Sequence, residues 1–206
     1  PTVEKVSKRV GNSKKASVKY IKGSGTVEVD MDNTGSGVPV DVHIDPPLSP
    51  VKQKSPMVCW AAGAAMMNMW RTRTSKTVEA FLDELGGDWR SKYDNDTPLL
   101  VEQFKALFSA IGLVEEGPQS YTPEGLARLV EHHGPLLAIG DDAIADNGVS
   151  HVRVITGVSG DGTIEGTRVM LVDSADGQLR PMSFANFDKL HTGNDPANLG
   201  AGIFHY

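Results

Sequence analysis

A run of almost uninterrupted apolar residues, from Cys59 to Trp70, constrains this chain more than any other segment. Alanine, methionine and tryptophan dominate it, and the apolar side chains fall on every side of a helix built from them. A helix that is apolar all round is buried inside its protein. The sequence therefore predicts a buried helix that begins at Cys59, the only cysteine of the chain.

The segments after this run are ordered as helices first and strands afterwards. Capping residues and terminal glycines predict three further helices, at 77–85, 99–111 and 123–132. Short apolar runs between Gly- and Asp-rich turns then predict four strands, at 135–139, 151–158, 168–173 and 202–206. This order is typical of an α+β domain with a helical half and a sheet half, rather than of alternating βαβ units.

The first 47 residues differ in character from the rest. Residues 1–20 are rich in lysine and serine, which predicts a solvated basic arm. Two runs of alternating apolar and polar residues, 25–31 and 38–44, flank a Gly/Asn-rich loop and predict a β-hairpin. This hairpin would cover a cleft, bind a partner or add an edge to the sheet half. We expect an N-terminal region at 1–47 and a single domain at 48–206.

Charge and hydropathy argue against several classes of partner. The 206 residues carry a net charge of -6, whereas phosphate binding requires a basic surface, so nucleic acid is not the expected partner. No apolar run approaches the roughly 20 residues that span a bilayer, so no membrane association is expected. A single cysteine cannot form an internal disulfide, and the fold therefore does not require an oxidising compartment.

Three residues of the predicted elements carry the groups of a thiol hydrolase. Cys59 lies at the start of a helix, His151 opens one strand and Asp173 closes the next. The thiolate is the nucleophile, and both the positive end of a helix and a neighbouring imidazolium stabilise it. His151 would return a proton to the leaving group as general acid, and Asp173 would hold its ring in the required tautomer. The order predicts a Cys59–His151–Asp173 triad.

An upstream glutamine completes the predicted site. Gln53 stands six residues before Cys59 and carries an amide that donates hydrogen bonds. The oxyanion of a tetrahedral intermediate needs such donors. We expect the backbone N–H of Cys59 and the side chain of Gln53 to supply them.

Other residues of the same types have simpler explanations. His132 and His133 lie at a predicted helix C-terminus, where a cationic side chain is favoured without catalysis. His191 lies in a predicted Gly/Asn-rich loop and is the alternative imidazole, and Asp176 is a turn residue and the alternative carboxylate. A lone cysteine is also often a small buried core residue.

Metal and cofactor motifs are missing from the sequence. Glu131-His132-His133 lacks the HExxH spacing, and one cysteine cannot build a structural zinc site. The glycines between 140 and 148 lack the strand–GxGxxG–helix context of a dinucleotide site. We expect neither a metal nor a cofactor.

At these residues the chain resembles the papain-like cysteine peptidases. It is most similar to compact bacterial members, namely type III effector peptidases delivered into plant cells and the double-glycine leader peptidases of bacteriocin export. The likeness covers about residues 48–206. It rests on Gln53 with the Gln-x5-Cys spacing, on Cys59-Trp60-Ala61-Ala62, on Gly134-Pro135 before a strand, and on the strands of His151 and Asp173. The resemblance implies a two-lobed fold, with the cysteine on a helical lobe and the histidine and aspartate on an antiparallel sheet lobe.

The leading hypothesis is a cysteine endopeptidase that cleaves a protein substrate. The resemblance implies an effector or interbacterial toxin domain that is secreted by a specialised system, or within a larger toxin, and acts in the cytoplasm of a target cell. A bacterial target would also imply a cognate immunity protein. The start of the chain has neither an initiator methionine nor the apolar stretch of a signal peptide, so we expect a processed product or a domain of a longer protein.

Two alternatives remain open from the sequence. A transglutaminase-like deamidase or an amidase uses the same Cys/His/acid geometry and would release ammonia without cutting the chain. A non-enzymatic binding module would hold Cys59 as an inert core residue.

Overall fold

The computed structural model describes residues 3–10, 14–21, 27–31, 36–117, 119–141, 150–192 and 202–206. Six helices lie within these ranges: α1 (Cys59–Thr72), α2 (Val78–Leu85), α3 (Trp89–Asp94), α4 (Val101–Ala110), α5 (Pro123–His133) and α6 (Phe184–Thr192). The strands of the same ranges are β1 (Val3–Val10), β2 (Lys14–Ile21), β3 (Val27–Met31), β4 (Val40–His43), β5 (Val114–Glu115), β6 (Leu136–Asp141), β7 (Ser150–Gly160), β8 (Thr167–Asp173), β9 (Gln178–Ser183) and β10 (Gly202–His205).

A seven-stranded antiparallel sheet forms the centre of the fold. Its strands follow the order β5-β10-β6-β7-β8-β9, and β4 pairs with β7 outside this path. The helices α1 to α4 precede most of these strands in the chain. The predicted α+β class is confirmed. No helix in the described part of the chain is both long and apolar enough to cross a bilayer.

The predicted N-terminal hairpin is wrong in its pairing. Both runs form strands, but β3 pairs with β2 in a separate three-stranded sheet with β1, whereas β4 pairs with β7. The reason lies in the length of β7. Its first half, 150–155, pairs with β6, so the same edge is left open at 157–160, and β4 fills it. Most of the predicted turn, residues 32–35, lies outside the described residues.

The predicted basic arm at 1–20 also contains strands. Its described residues form β1 and β2, which pair along their full lengths. Valine, tyrosine and isoleucine recur in these segments, and such residues favour strands. The high lysine content obscured this pattern in the sequence.

The sheet buries apolar side chains on both faces. Strand β6 shows the division, since Leu137 and Ile139 join the core with α1, α2 and α4, whereas Leu136 and Ala138 join a second core with α5 and α6. Helix α5 was expected with the other helices, but it packs on the opposite face. Its apolar residues Leu126, Ala127 and Val130 form a single stripe that this face covers.

Helix α1 is buried as predicted, because ten of its residues are buried. Gly63 lies where α1 crosses β7, and a Cβ atom placed there would be 2.4 Å from Cγ1 of Val152. The absence of a side chain at Gly63 therefore sets how closely the helix that begins at Cys59 approaches the strand that carries His151.

Replacing Gly63 by alanine is expected to destabilise the protein. The added methyl group overpacks the α1–β7 contact at a cost of about 1–3 kcal/mol, and the roughly 1 kcal/mol that alanine gains over glycine in a helix leaves a net loss of up to about 2 kcal/mol. Thermal unfolding measures the effect, and Gly117→Ala is the matched control because a Cβ there meets no atom within 4 Å. A Gly63→Ala variant as stable as the wild type would show that α1 does not need this close approach.

Candidate active site

Cys59 is the first residue of α1, as the sequence predicts. The preceding residue, Val58, is the N-cap and has no side chain that could cap the helix, although its backbone oxygen accepts from the N–H of Ala61. Cys59 is 5% exposed. Its thiol thus lies at the positive end of a buried helix, where a negative charge is stabilised.

The structure brings His151 and Asp173 together beside this thiol. His151 lies on β7, and its Nε2 is 2.7 Å from Oδ1 of Asp173, the last residue of β8. The ring is also within hydrogen-bonding reach of the Cys59 side chain. Because Nε2 faces the carboxylate, Nδ1 is the nitrogen available to the sulfur. The three side chains therefore form the connected series that the sequence predicts.

The charges of the histidine and the aspartate stabilise each other. Burial acts to lower the pKa of His151, but the contacts with Asp173 and Cys59 outweigh it and raise the pKa to about 9. Burial acts to raise the pKa of Asp173, but hydrogen bonds from His151 and from the N–H of Ala175 hold it well below its usual value. At neutral pH the site therefore contains an imidazolium and a carboxylate.

Gln53 lies next to Cys59, His151 and Asp173, and hydrogen bonds with Ser174 fix its position. The Gln53 N–H donates to the backbone oxygen of Ser174 at 2.8 Å, and the buried Ser174 hydroxyl lies 3.2 Å from Gln53 Oε1. The same hydroxyl is 2.8 Å from the backbone oxygen of Val152. Ser174 therefore ties the segment before α1 to the two strands that carry His151 and Asp173.

The side-chain amide of Gln53 is already engaged. Its Nε2 donates to the backbone oxygens of Ser55 and Pro56, both at 2.9 Å. These bonds shape the loop that leads into α1. An oxyanion that binds this amide would have to replace one of the two carbonyl acceptors.

Helix α3 and the residues after it hold this loop from the other side. Lys54 forms an ion pair with Asp94 at 2.9 Å, and its Nζ lies 3.8 Å from the centre of the Tyr93 ring.

The residues after α3 contact the end of this loop and the start of α1. The N–H of Met57 donates to Asp96 at 2.9 Å, and the indole N–H of Trp60 donates to the backbone oxygen of Thr97. The sequence did not predict α3, which is only six residues long and lacks a side-chain cap.

Arg153 also contacts the carboxylate of Asp173, and the sequence did not single it out. Its Nε donates to the second carboxylate oxygen of Asp173, Oδ2, at 3.3 Å. Arg153 follows His151 by two positions on a strand, so the two side chains share a face. A basic residue among the apolar Val152, Val154 and Ile155 was the available signal.

The alternative residues lie elsewhere. His191 belongs to the end of α6 rather than to a loop, and its ring is buried between Tyr121 and Phe187. The loop prediction was wrong because the helix follows β9 without an intervening turn residue. Asp176 is exposed and forms an ion pair with Arg180.

Another cluster of titratable side chains joins α5 to the sheet edge. Glu116, His133 and His205 bring possible ligand atoms within 4.8 Å of one another. His205 pairs with Glu116 at 2.8 Å, and both imidazoles approach the backbone oxygen of Tyr206 through Nδ1. The rings stack with their centres 3.7 Å apart, an arrangement in which one metal ion would not lie in both ring planes. Hydrogen bonding and stacking account for this cluster.

Comparison with protein families gives a match that covers more than half of the chain. The family model described as "Papain-like cysteine protease AvrRpt2" matches residues 40–192. The match begins at β4, the strand that joins the central sheet, and contains all four predicted site residues. A comparison with curated proteins finds no significant match.

Proposed function

This chain belongs to the AvrRpt2 family of papain-like cysteine proteases, and we propose that Cys59, His151 and Asp173 carry out its reaction. The observation that carries the proposal is the connection from the Cys59 thiol through the His151 ring to the Asp173 carboxylate. A thiolate and an imidazolium at the N-terminus of a buried helix are the reactive form of such a pair.

The reaction begins with attack of the Cys59 thiolate on the carbonyl carbon of a peptide bond. His151 then transfers its proton to the leaving amine. A water molecule, whose proton the neutral His151 accepts, attacks the thioester carbonyl of the acyl-enzyme and breaks its C–S bond, which frees the acid product and restores the thiolate. Asp173 keeps the ring oriented through the bond at Nε2, so that Nδ1 remains directed toward the sulfur and the leaving group.

The oxyanion of the tetrahedral intermediate requires hydrogen-bond donors beside the sulfur. The uncapped first turn of α1 supports the backbone N–H of Cys59 in this role. We assign the second donor to Gln53, whose amide gives up its bond to Ser55 or Pro56 when the charge develops. A developing anion is a stronger acceptor than a neutral carbonyl, which favours this exchange.

The proposed biological role follows from the family. We propose that the protein is a secreted effector that cleaves a protein substrate in the cytoplasm of a target cell, and that a bacterial target would imply an immunity protein in the producer. We keep the division into an N-terminal region and a catalytic domain as a proposal. The pairing of β4 with β7 and the start of the family match at residue 40 support placing β4 with the catalytic domain.

The proposal is tested by incubating the protein with plant and bacterial lysates and labelling newly formed N-termini. We expect new termini with the wild type and none with Cys59→Ala. Release of ammonia without new termini would contradict proteolysis and assign the same triad to a glutamine deamidase.

A further inference from the structure

We infer that Arg153 is a positioning residue of the active site, which fixes the second oxygen of Asp173 and balances the charge that Asp173 presents to His151. The inference rests on the proposed function of the triad. It adds a fourth side chain, whose guanidinium contacts Asp173 and acts on the charge of His151 from there.

Strand pairing places Arg153 opposite Asp173. The two residues are direct partners in the antiparallel register of β7 and β8, so their side chains leave the sheet on the same face. Arg153 is 8% exposed, and the Asp173 side chain is 16% exposed. The contact is therefore largely shielded from water, where an ion pair is stronger than on the surface.

The two carboxylate oxygens of Asp173 have separate partners. Oδ1 accepts from His151 Nε2 at 2.7 Å and from the N–H of Ala175 at 2.9 Å. Oδ2 accepts from Arg153 Nε at 3.3 Å. Rotation of the carboxylate would break bonds at both oxygens, so Arg153 helps to hold Oδ1 in the plane that orients the His151 ring.

Arg153 also sets how tightly His151 holds its proton. A carboxylate without a second cation would stabilise the imidazolium more strongly, and an imidazolium that is too stable is a poor general acid. The guanidinium acts to lower the pKa of His151 and of Asp173. Within the described ranges, the Cys59 side chain on α1 acts on His151, and the exposed pair of Asp176 and Arg180 beside β9 acts on Asp173.

The test follows the protonation of His151 without a substrate. Protein labelled with ¹⁵N-histidine is titrated by NMR, and the His151 signal is assigned by its loss in His151→Ala. In Arg153→Gln we expect the titration midpoint to rise by about 0.5–1 pH unit. Arg168→Gln removes an exposed charge from the far end of β8 and should leave the midpoint unchanged.

A double variant shows whether the effect passes through Asp173. In the Asp173→Asn background only the direct repulsion between the guanidinium and the imidazolium remains, so Arg153→Gln should move the midpoint by less than its single-variant shift. A full shift in that background would contradict action through Asp173. An unmoved midpoint in the single variant would overturn the charge-balancing role.

Arg153→Lys is a second variant that tests the proposal if Arg153→Gln does not fold. Lysine keeps the charge but lacks the planar Nε donor, so we expect an unchanged midpoint and a 3–30-fold fall in kcat/KM. An unchanged kcat/KM would overturn the positioning role. A wild-type His151 that titrates near its ordinary pKa of about 6.5 would instead contradict the proposed function itself.

Discussion

Replacing Cys59 by alanine is expected to reduce kcat/KM for protein cleavage by at least about 10⁴-fold, because no other group in the site can form the covalent intermediate. The fold should persist. Cys59 packs as a small residue within the apolar α1, and alanine retains the helix there. The measurement compares cleavage rates of purified wild type and variant on one substrate, with circular dichroism and thermal unfolding as the check on structure.

The outcome for Cys59→Ala tests whether the thiol carries the reaction. A folded variant that cleaves within tenfold of the wild-type rate would contradict thiol catalysis. The deamidase and protease alternatives share this loss, so the labelling of new N-termini is needed to tell them apart.

Replacing His151 by alanine is expected to reduce kcat/KM by about 10³–10⁴-fold or more, because the thiolate loses its counter-ion and the leaving amine loses its proton donor. His43→Ala is the matched control. His43 lies on β4 of the same sheet and pairs with the exposed Asp41, so its loss should leave kcat/KM within twofold of the wild type. Equal effects of the two substitutions would contradict the role of His151.

The pH dependence of cleavage follows from the same histidine. Its folded pKa of about 9 lies above the unfolded value of about 6.5, so the imidazolium persists through neutral pH and is lost as the pH rises through about 9. We expect cleavage to decline on this alkaline side.

The sequence predicted the elements that carry the candidate site residues better than it predicted the pairing of the strands around them. Cys59 could be assigned to the start of a buried helix because an all-apolar run is favourable only in the protein interior. His151 and Asp173 could be assigned to strands because one opens and the other closes a predicted strand. Pairing between strands is decided by long-range contacts, which explains the error at β3 and β4. The open half of the β7 edge, which β4 fills, cannot be inferred from the residues of β4 alone.

The elements that were missed have weak local patterns. Strand β9 is mostly exposed and contains Pro181, which local rules count against a strand, yet a proline is tolerated at the sheet edge where β9 lies. Helix α6 follows β9 directly, and its start is marked only by Ser183, the last residue of β9, whose hydroxyl accepts from the N–H of Asn186. Arg153 and Ser174 gain their roles only from the register of β7 and β8, which brings them to Asp173 and Gln53.

The rate of Cys59 alkylation by iodoacetamide as a function of pH tests the central proposal most directly, because it needs no knowledge of the substrate. We expect fast alkylation that persists well below pH 8 in the wild type and is lost in His151→Ala, as an ion pair between the thiolate and the imidazolium requires. A rate that rises only around pH 8.5, and equally in both proteins, would show an ordinary thiol and contradict the proposed active site.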